Sequence, residues 1–226
     1  MRMEILIFVG AIAAIVVTLV LGWYLKTRRR AAYVTLAAAH GFQYSPQDPF
    51  DLTAWPFRLF TRGDGRGAEN VMWGEWRGVP ITAFDYWYYT EHSSSRGQRS
   101  RSFRRFSCAT VEVSASFPHL EVNREGLLST LADRLGLEDI ELESPEFNRR
   151  YNVRAADRRF AYTLLDARMI DWLVGFDQGL AFEVLGNRVL AYRSQVHPHK
   201  LLPILGTLEM FRQRIPRVAL NLYPVG

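Results

Sequence analysis

The longest apolar run of the chain lies near its amino terminus, over residues 5–25. It contains no charged residue and no proline. As a helix rising about 1.5 Å per residue it would be about 31 Å long, which matches the hydrocarbon core of a bilayer, roughly 30 Å. Trp23 and Tyr24 stand at its carboxyl end, where interfacial aromatic residues are common. The pattern predicts a transmembrane helix over residues 5–25.

Two other interpretations of this run are a cleaved signal peptide and a buried helix of a soluble domain. A signal peptide needs a shorter apolar core and a cleavage site with small residues, whereas this run ends in Gly-Trp-Tyr-Leu and a basic cluster. A buried soluble helix is rarely free of charge over so long a stretch. We therefore favour a retained anchor. Gly10 and Ala14 are spaced to allow close packing of two anchors into a weak homo-oligomer, although the simpler interpretation, which we favour, is that small residues are common in membrane helices.

Most of the basic residues that flank the run lie on its carboxyl side. Arg2, offset by Glu4, precedes it, whereas four basic residues follow it: Lys26, Arg28, Arg29 and Arg30. Positive residues stay on the cytoplasmic side of a membrane. We expect these four side chains at the membrane surface, residues 1–4 outside the cell membrane, and the remaining chain in the cytoplasm.

The chain after the anchor divides into a helical segment and one larger domain. Residues 26–40 are rich in helix-forming residues and predict a basic juxtamembrane helix that ends at Gly41. Residues 41–226 predict the domain. Its first half predicts a strand at 57–61, a turn-rich segment at 62–70, a hairpin of 71–76 with 79–90 around Arg77-Gly78, a polar mobile loop at 93–105 and a strand at 106–116.

Helical patterns dominate the second half of this domain. The predicted elements are a short strand at 119–122, helices at 123–136 and from Ser144, a strand at 150–155, a helical stretch at 156–176 divided by Asp166, a hairpin of 180–185 with 188–193, and a helix at 198–214. The fold class is therefore α+β: a transmembrane helix, then one domain with a mainly antiparallel sheet and several packed helices.

The distribution of charge along the chain limits the kinds of partner that we expect. Residues 1–30 hold five of the 28 basic residues and one of the 23 acidic residues, so the rest of the chain is close to neutral. Five more basic residues lie close together in the loop: Arg96, Arg99, Arg101, Arg104 and Arg105. The positive charge is therefore local, and we expect no nucleic-acid partner. The partners we expect are the lipid bilayer, anionic lipid head groups at the arginine loop and a protein of unknown identity.

The arginine loop and the aromatic stretch at 84–89 each have more than one interpretation. The loop could dock on anionic lipid, be phosphorylated on its serines, or be a solvated hairpin tip. The aromatic stretch could be a stacking platform, although large aromatic residues more often form a core.

No catalytic, cofactor or metal site is predicted. His197 and His199 form a pair without a third ligand nearby in sequence. The single cysteine, Cys108, excludes an intramolecular disulfide. The aspartates at 157, 166, 171 and 177 stand mostly at positions typical of helix caps and turns.

Two segments carry a family resemblance. Residues 144–173 read SPEFNRRYNVRAADRRFAYTLLDARMIDWL, and residues 70–90 read NVMWGEWRGVPITAFDYWYYT. They resemble uncharacterised bacterial single-pass membrane proteins with a cytoplasmic domain of unknown function. The resemblance implies an anchor followed by one domain and carries over no activity.

Three functional hypotheses follow. The first is a membrane-tethered cytoplasmic domain that binds or scaffolds other molecules, because the anchor is clear and no catalytic motif accompanies it. The second is a membrane-anchored enzyme whose site is assembled from residues distant in sequence. The third is a lipid-sensing module of pleckstrin-homology-like shape, by analogy of fold alone.

Overall fold

A computed structural model gives the fold for residues 2–93, 97–124, 127, 136–176 and 178–225. A long amino-terminal helix is followed by an antiparallel sheet of seven strands and by shorter helices, so the predicted α+β class is confirmed. The strands are β1 (Gln43–Gln47), β2 (Gly65–Trp76), β3 (Val79–Ser93), β4 (Arg99–Arg124), β5 (Glu138–Ile140), β6 (Tyr151–Ala155) and β7 (Ala181–Ser194). The helices are α1 (Arg2–His40), α2 (Pro145–Arg150), α3 (Arg158–Leu164), α4 (Ala167–Gly175), α5 (Leu201–Arg214) and α6 (Arg217–Leu222).

Strand β4 is the centre of the sheet. It is 26 residues long and pairs with β3 through its first half, with β6 near its end and with β7 along its other edge. The strands follow the order β1-β2-β3-β4-β6-β5, with β7 beside β4. Because side chains alternate between the faces of a strand, this sheet separates two apolar clusters.

The larger cluster lies on the face that receives α1 and α5, and it includes Tyr33 of α1 and Phe211 of α5. The smaller cluster lies on the opposite face. There the short 3-10 helices at Leu52–Ala54 and Arg58–Thr61 cover Phe84 of β3 and Tyr192 of β7.

Helix α1 is continuous through both predicted segments, 5–25 and 26–40. The residues of its apolar part that the structure describes with side chains are exposed, whereas Tyr33 and Ala37 are buried in the larger cluster. The helix ends before Gly41, whose φ of 71° suits glycine at a helix terminus. From Phe8 to His40, α1 is long and apolar enough to cross a membrane.

Several local predictions are confirmed. Arg77 and Gly78, with φ of 52° and 77°, connect β2 to β3 in the predicted tight hairpin. Asp166 accepts a hydrogen bond from the amide of Met169 and so caps α4, which divides the helical stretch as expected. Ser144 caps α2 in the same way.

The predicted hairpin at 180–193 is wrong. These residues form the single strand β7, which pairs with β4 from Phe182 to Ser194. Gly186 has the positive φ of 56° that such a turn needs, but here it accompanies an irregularity in the pairing, at Phe117 of β4, and not a chain reversal.

Three further segments differ from the predictions. The strand predicted at 57–61 is the 3-10 helix Arg58–Thr61. Most of the turn-rich segment at 62–70 belongs to β2, and the predicted mobile loop at 93–105 is mostly strand, since β3 extends to Ser93 and β4 begins at Arg99. The helix predicted at 123–136 falls mostly outside the described residues.

The burial of Cys108 predicts an unreactive thiol. Its side chain is fully buried in the smaller cluster, and burial raises its pKa well above the usual value. Since the thiolate is the reactive form, a maleimide should label native protein very slowly and unfolded protein rapidly. A Ser100→Cys variant, at an exposed position of β4, should be labelled in the native state and serves as the control. Rapid native labelling of Cys108 would contradict this packing.

Candidate functional site

A buried carboxylate joins α1 to the sheet. Asp85 of β3 is 1% exposed and receives two hydrogen bonds from Arg29, Nε to Oδ2 at 2.7 Å and Nη2 to Oδ1 at 2.6 Å. The hydroxyl of Tyr33 donates to Oδ1 at 2.9 Å, and Nδ2 of Asn70 donates to Oδ2 at 2.9 Å. Paired, charge-assisted bonds of this kind offset the cost of burying a carboxylate. We call this contact of Asp85 with Arg29, Tyr33 and Asn70 the joint.

The partners of Asp85 are themselves held in place. Asn70 lies at an irregularity in the β2–β3 pairing, has a φ of 55°, and accepts a hydrogen bond from the hydroxyl of Tyr44 at 3.0 Å. Nη1 of Arg29 donates to the carbonyl of Val196 at 2.8 Å. Although burial acts to lower it, the bond and charge of Asp85 raise the pKa of Arg29. Burial and Asp85 also raise the pKa of Tyr33, so its hydroxyl remains a donor.

Helix α1 and strand β3 lie side by side and run in opposite chain directions. The ring of His40 lies 5.8 Å from that of Trp76, just before β3, and Arg29 contacts Asp85. Residues 29–40 of α1 cover about 16 Å, and residues 79–85 of β3 cover about 20 Å. The end of β3 beyond Asp85 therefore continues toward the level of the apolar part of α1.

An aromatic cluster follows Asp85 on the same face of the sheet. It consists of Trp87 and Tyr89 of β3 and Phe103 of β4, with ring centroids 5.5–6.4 Å apart. Phe103 is 50% exposed. Gly65 and Gly67 of β2 make room for two of the rings, because a Cβ at these positions would lie 2.4 Å from Tyr89 and 2.8 Å from Trp87. Gly65 and Gly67 therefore leave the space that the rings of Tyr89 and Trp87 occupy.

The predicted arginine loop is divided between the two faces of this hairpin. Arg99, Arg101 and Arg105 alternate with residues of the opposite face and lie on the side of the aromatic cluster, whereas Arg104 pairs with Tyr88 and faces the other way. The guanidinium of Arg101 lies 4.6 Å from the centre of the Tyr89 ring. Arg96 lies outside the described residues.

Two acidic residues reduce the positive charge of this surface. Glu91 pairs with Arg101 at 2.8 Å. Glu69 lies 3.5 Å from Arg105 and 3.1 Å from Lys26. We use the name β3–β4 hairpin for residues 87–93 and 99–105.

The four basic residues after the apolar run have different surroundings. Arg28 is exposed, and Lys26 pairs with Glu69. Arg29 contributes to the joint with Asp85, and Arg30 is half-buried. Sequence reasoning missed the joint, although a signal for it exists: Asp85 is the one charged residue in an otherwise aromatic and apolar stretch.

The other candidate groups are not part of the joint. His197 and His199 lie with their Nδ1 atoms 2.7 Å apart, and burial and His199 lower the pKa of His197. The one cluster of three metal-ligating side chains in the described part of the chain is elsewhere, at His119, Glu121 and Glu183. Asp157 caps α3 and accepts a hydrogen bond from Tyr223.

An open groove of about 670 Å³ lies on the sheet face opposite the joint. Its walls combine aromatic, polar and charged side chains, including Phe50, Trp55, Trp73, Thr82, Glu112 and Arg188. The guanidinium of Arg188 stacks over the Trp55 ring at 4.5 Å.

Substitution of Asp85 should destabilise the whole domain. In Asp85→Asn, Arg29 keeps its position but loses its counter-charge, so the free energy of unfolding should fall by about 3 kcal/mol. Denaturant titration of the full chain in detergent micelles measures this change. The control Glu91→Gln removes an exposed ion pair and should cost less than about 1 kcal/mol. Equal effects of the two substitutions would contradict the importance of the joint.

Comparison with known proteins supports the fold. No protein-family model matches this sequence, and no curated protein matches it in a sequence search. The crystal structure of the mycobacterial trehalose monomycolate transport factor A, TtfA, is similar, with a TM-score of 0.62 over 89% of this chain and 98% of that one. At 18% sequence identity, this similarity establishes a shared fold.

Proposed function

We propose that this protein is a single-pass membrane protein whose cytoplasmic domain binds or scaffolds other components at the membrane surface. In this proposal α1 spans the bilayer with residues 1–4 outside, and the β3–β4 hairpin contacts anionic head groups of the same bilayer. The single observation that carries the proposal is the joint between Arg29 and Asp85, because it fixes the domain relative to the apolar helix.

The dimensions of the hairpin support contact with the membrane. The apolar run ends at Leu25, about 6 Å along the helix from Arg29. On β3, residues 85–93 extend about 26 Å beyond Asp85. Along the helix axis, this length would pass well beyond the roughly 6 Å to Leu25 and enter the hydrocarbon. We therefore propose that β3 diverges steeply from the axis of α1, so that its end lies at the depth of the head groups.

The chemistry of the hairpin suits the same region. Trp and Tyr rings are common at membrane interfaces, and basic residues near the surface contribute about 1 kcal/mol each to binding anionic lipid. Trp87, Tyr89 and Phe103 form one contiguous cluster, and Arg101 lies directly over it. The acids Glu69 and Glu91 limit the electrostatic contribution.

The structural neighbour favours a role in a membrane-associated transport process. The name of that protein describes a transport factor for trehalose monomycolate. By analogy, we propose that this chain contributes a non-enzymatic component to such a process, and that the groove opposite the joint remains available for a partner while the hairpin contacts lipid.

The proposed orientation predicts the location of the carboxyl terminus. A green fluorescent protein fused after residue 226 should fluoresce in bacterial cells, and an alkaline phosphatase fused at the same position should be inactive, because four basic residues follow the apolar run. Active phosphatase would place the domain outside the cytoplasm and overturn the orientation.

The lipid contact is tested with residues 26–226, which keep Arg29 and lack the apolar run. Binding to vesicles of phosphatidylcholine with phosphatidylserine should exceed binding to phosphatidylcholine alone. Arg101→Gln should weaken binding about fivefold, as expected for the loss of about 1 kcal/mol. Titration of vesicles into the protein, followed by tryptophan fluorescence, gives the affinities.

Arg104→Gln is the matched control, because Arg104 lies on the same strand and faces away from the aromatic cluster. It should change the affinity by less than twofold. Equal losses in the two variants, or no preference for anionic vesicles, would contradict the proposed contact. Circular dichroism establishes that each protein is folded.

A further inference from the structure

Three metal-ligating side chains converge on the sheet face opposite α1. Glu121 of β4 stands directly across from Glu183 of β7, and His119 precedes Glu121 by two residues, on the same face. Nε2 of His119 lies 2.8 Å from Oε1 of Glu183 and 3.8 Å from Oε1 of Glu121. One ligand atom from each side chain lies within 4.8 Å of the other two.

Neighbouring groups orient both carboxylates. Nδ2 of Asn123 donates to Oε2 of Glu121 at 2.8 Å, and Asn123 in turn accepts a hydrogen bond from the hydroxyl of Tyr192 at 2.8 Å. The amide of Leu59 donates to Oε2 of Glu183 at 3.2 Å, and the amide of Arg58 donates to Oε1. Hydrogen-bonded carboxylates and a nearby imidazole are typical of the groups around protein metal ions.

One oxygen of this cluster is buried without a donor. Oε1 of Glu121 accepts no hydrogen bond from any residue that the structure describes, although the residue is 2% exposed. A buried acceptor in this state is costly. The nearest cationic atom is Nε of Arg58 at 3.5 Å, beyond normal hydrogen-bond length. With His119 neutral, the state in which an imidazole binds a metal, the two carboxylates exceed the single charge of Arg58, so the cluster favours a further positive charge.

The donor set selects the class of ion. Calcium and magnesium prefer oxygen ligands alone, whereas zinc and similar transition metals accept one imidazole nitrogen with carboxylate oxygens. Bonds of about 2.0–2.2 Å to nitrogen and oxygen allow such an ion to bridge atoms up to about 4 Å apart. The separation of 3.8 Å between His119 and Glu121 fits, and a small shift of the partly exposed His119 would open its contact with Glu183.

We propose that His119, Glu121 and Glu183 bind a divalent transition-metal ion of the zinc class. The ion would connect β4 to β7 and, through Glu183, to the 3-10 helix Arg58–Thr61. It would replace a hydrogen bond and an unsatisfied acceptor with coordination bonds, and so stabilise the smaller cluster. The site is independent of the lipid contact on the other face.

Cobalt provides a direct probe. The full-length protein in detergent micelles is stripped of metal with a chelator and titrated with Co²⁺, whose visible absorption reports nitrogen and oxygen coordination in a protein site. We expect one equivalent to bind and Zn²⁺ to displace it. His119→Ala should abolish the absorption, and Asn123→Ala, which leaves the three ligands in place, should weaken binding about 10–100-fold.

The double variant His197→Ala/His199→Ala is the control, because it removes the surface histidine pair and leaves the cluster intact. It should bind Co²⁺ like the wild type. Zn²⁺ should also raise the melting temperature of the wild type and not that of His119→Ala, and circular dichroism tests whether each variant is folded. If His119→Ala fails to fold, the affinity of Asn123→Ala for Co²⁺ tests the proposal in its place. No Co²⁺ absorption in the wild type, loss of absorption in the control, or unchanged affinity in Asn123→Ala would overturn the proposal.

Discussion

The attachment of α1 to the sheet depends on a buried carboxylate. Asp85 interrupts an aromatic strand, and water cannot solvate it where it lies. A charge in this position is tolerated only with well-oriented partners, and these come from two other segments: Arg29 and Tyr33 of α1, and Asn70 of β2. The helix that carries the apolar run is therefore continuous with a segment, at Arg29 and Tyr33, that packs against the sheet.

The sequence allowed prediction of features encoded within a few residues. The apolar run at 5–25, the tight turn at Arg77-Gly78 and the cap at Asp166 each depend on neighbours along the chain, and each is present. The predicted hairpin turn at Gly186 is wrong for a physical reason. Its local sequence suits a hairpin turn, but the continuous partner strand β4 holds β7 extended through this position, so tertiary pairing decides the outcome.

The candidate sites required information that no local pattern contains. The joint brings together residues 56 positions apart, and the metal-ligating cluster joins β4 to β7 across 64 positions. The arginines at 99–105 were visible as a cluster, but only the pairing of β3 with β4 places Arg101 and Arg104 on different faces. The alternation of residues along a strand predicts which side chains share a face of the sheet. Only the tertiary structure shows what packs against each face.

The uninterrupted geometry of α1 has a rotational consequence. Each residue of a helix turns about 100° relative to the previous one. Because Arg29 and Tyr33 clamp one side of α1 and the helix continues without a break toward its amino terminus, the angular position of every residue in the apolar run is set relative to the sheet. If another molecule bound one side of the apolar run, the groove on the sheet would therefore face a fixed direction around the helix axis.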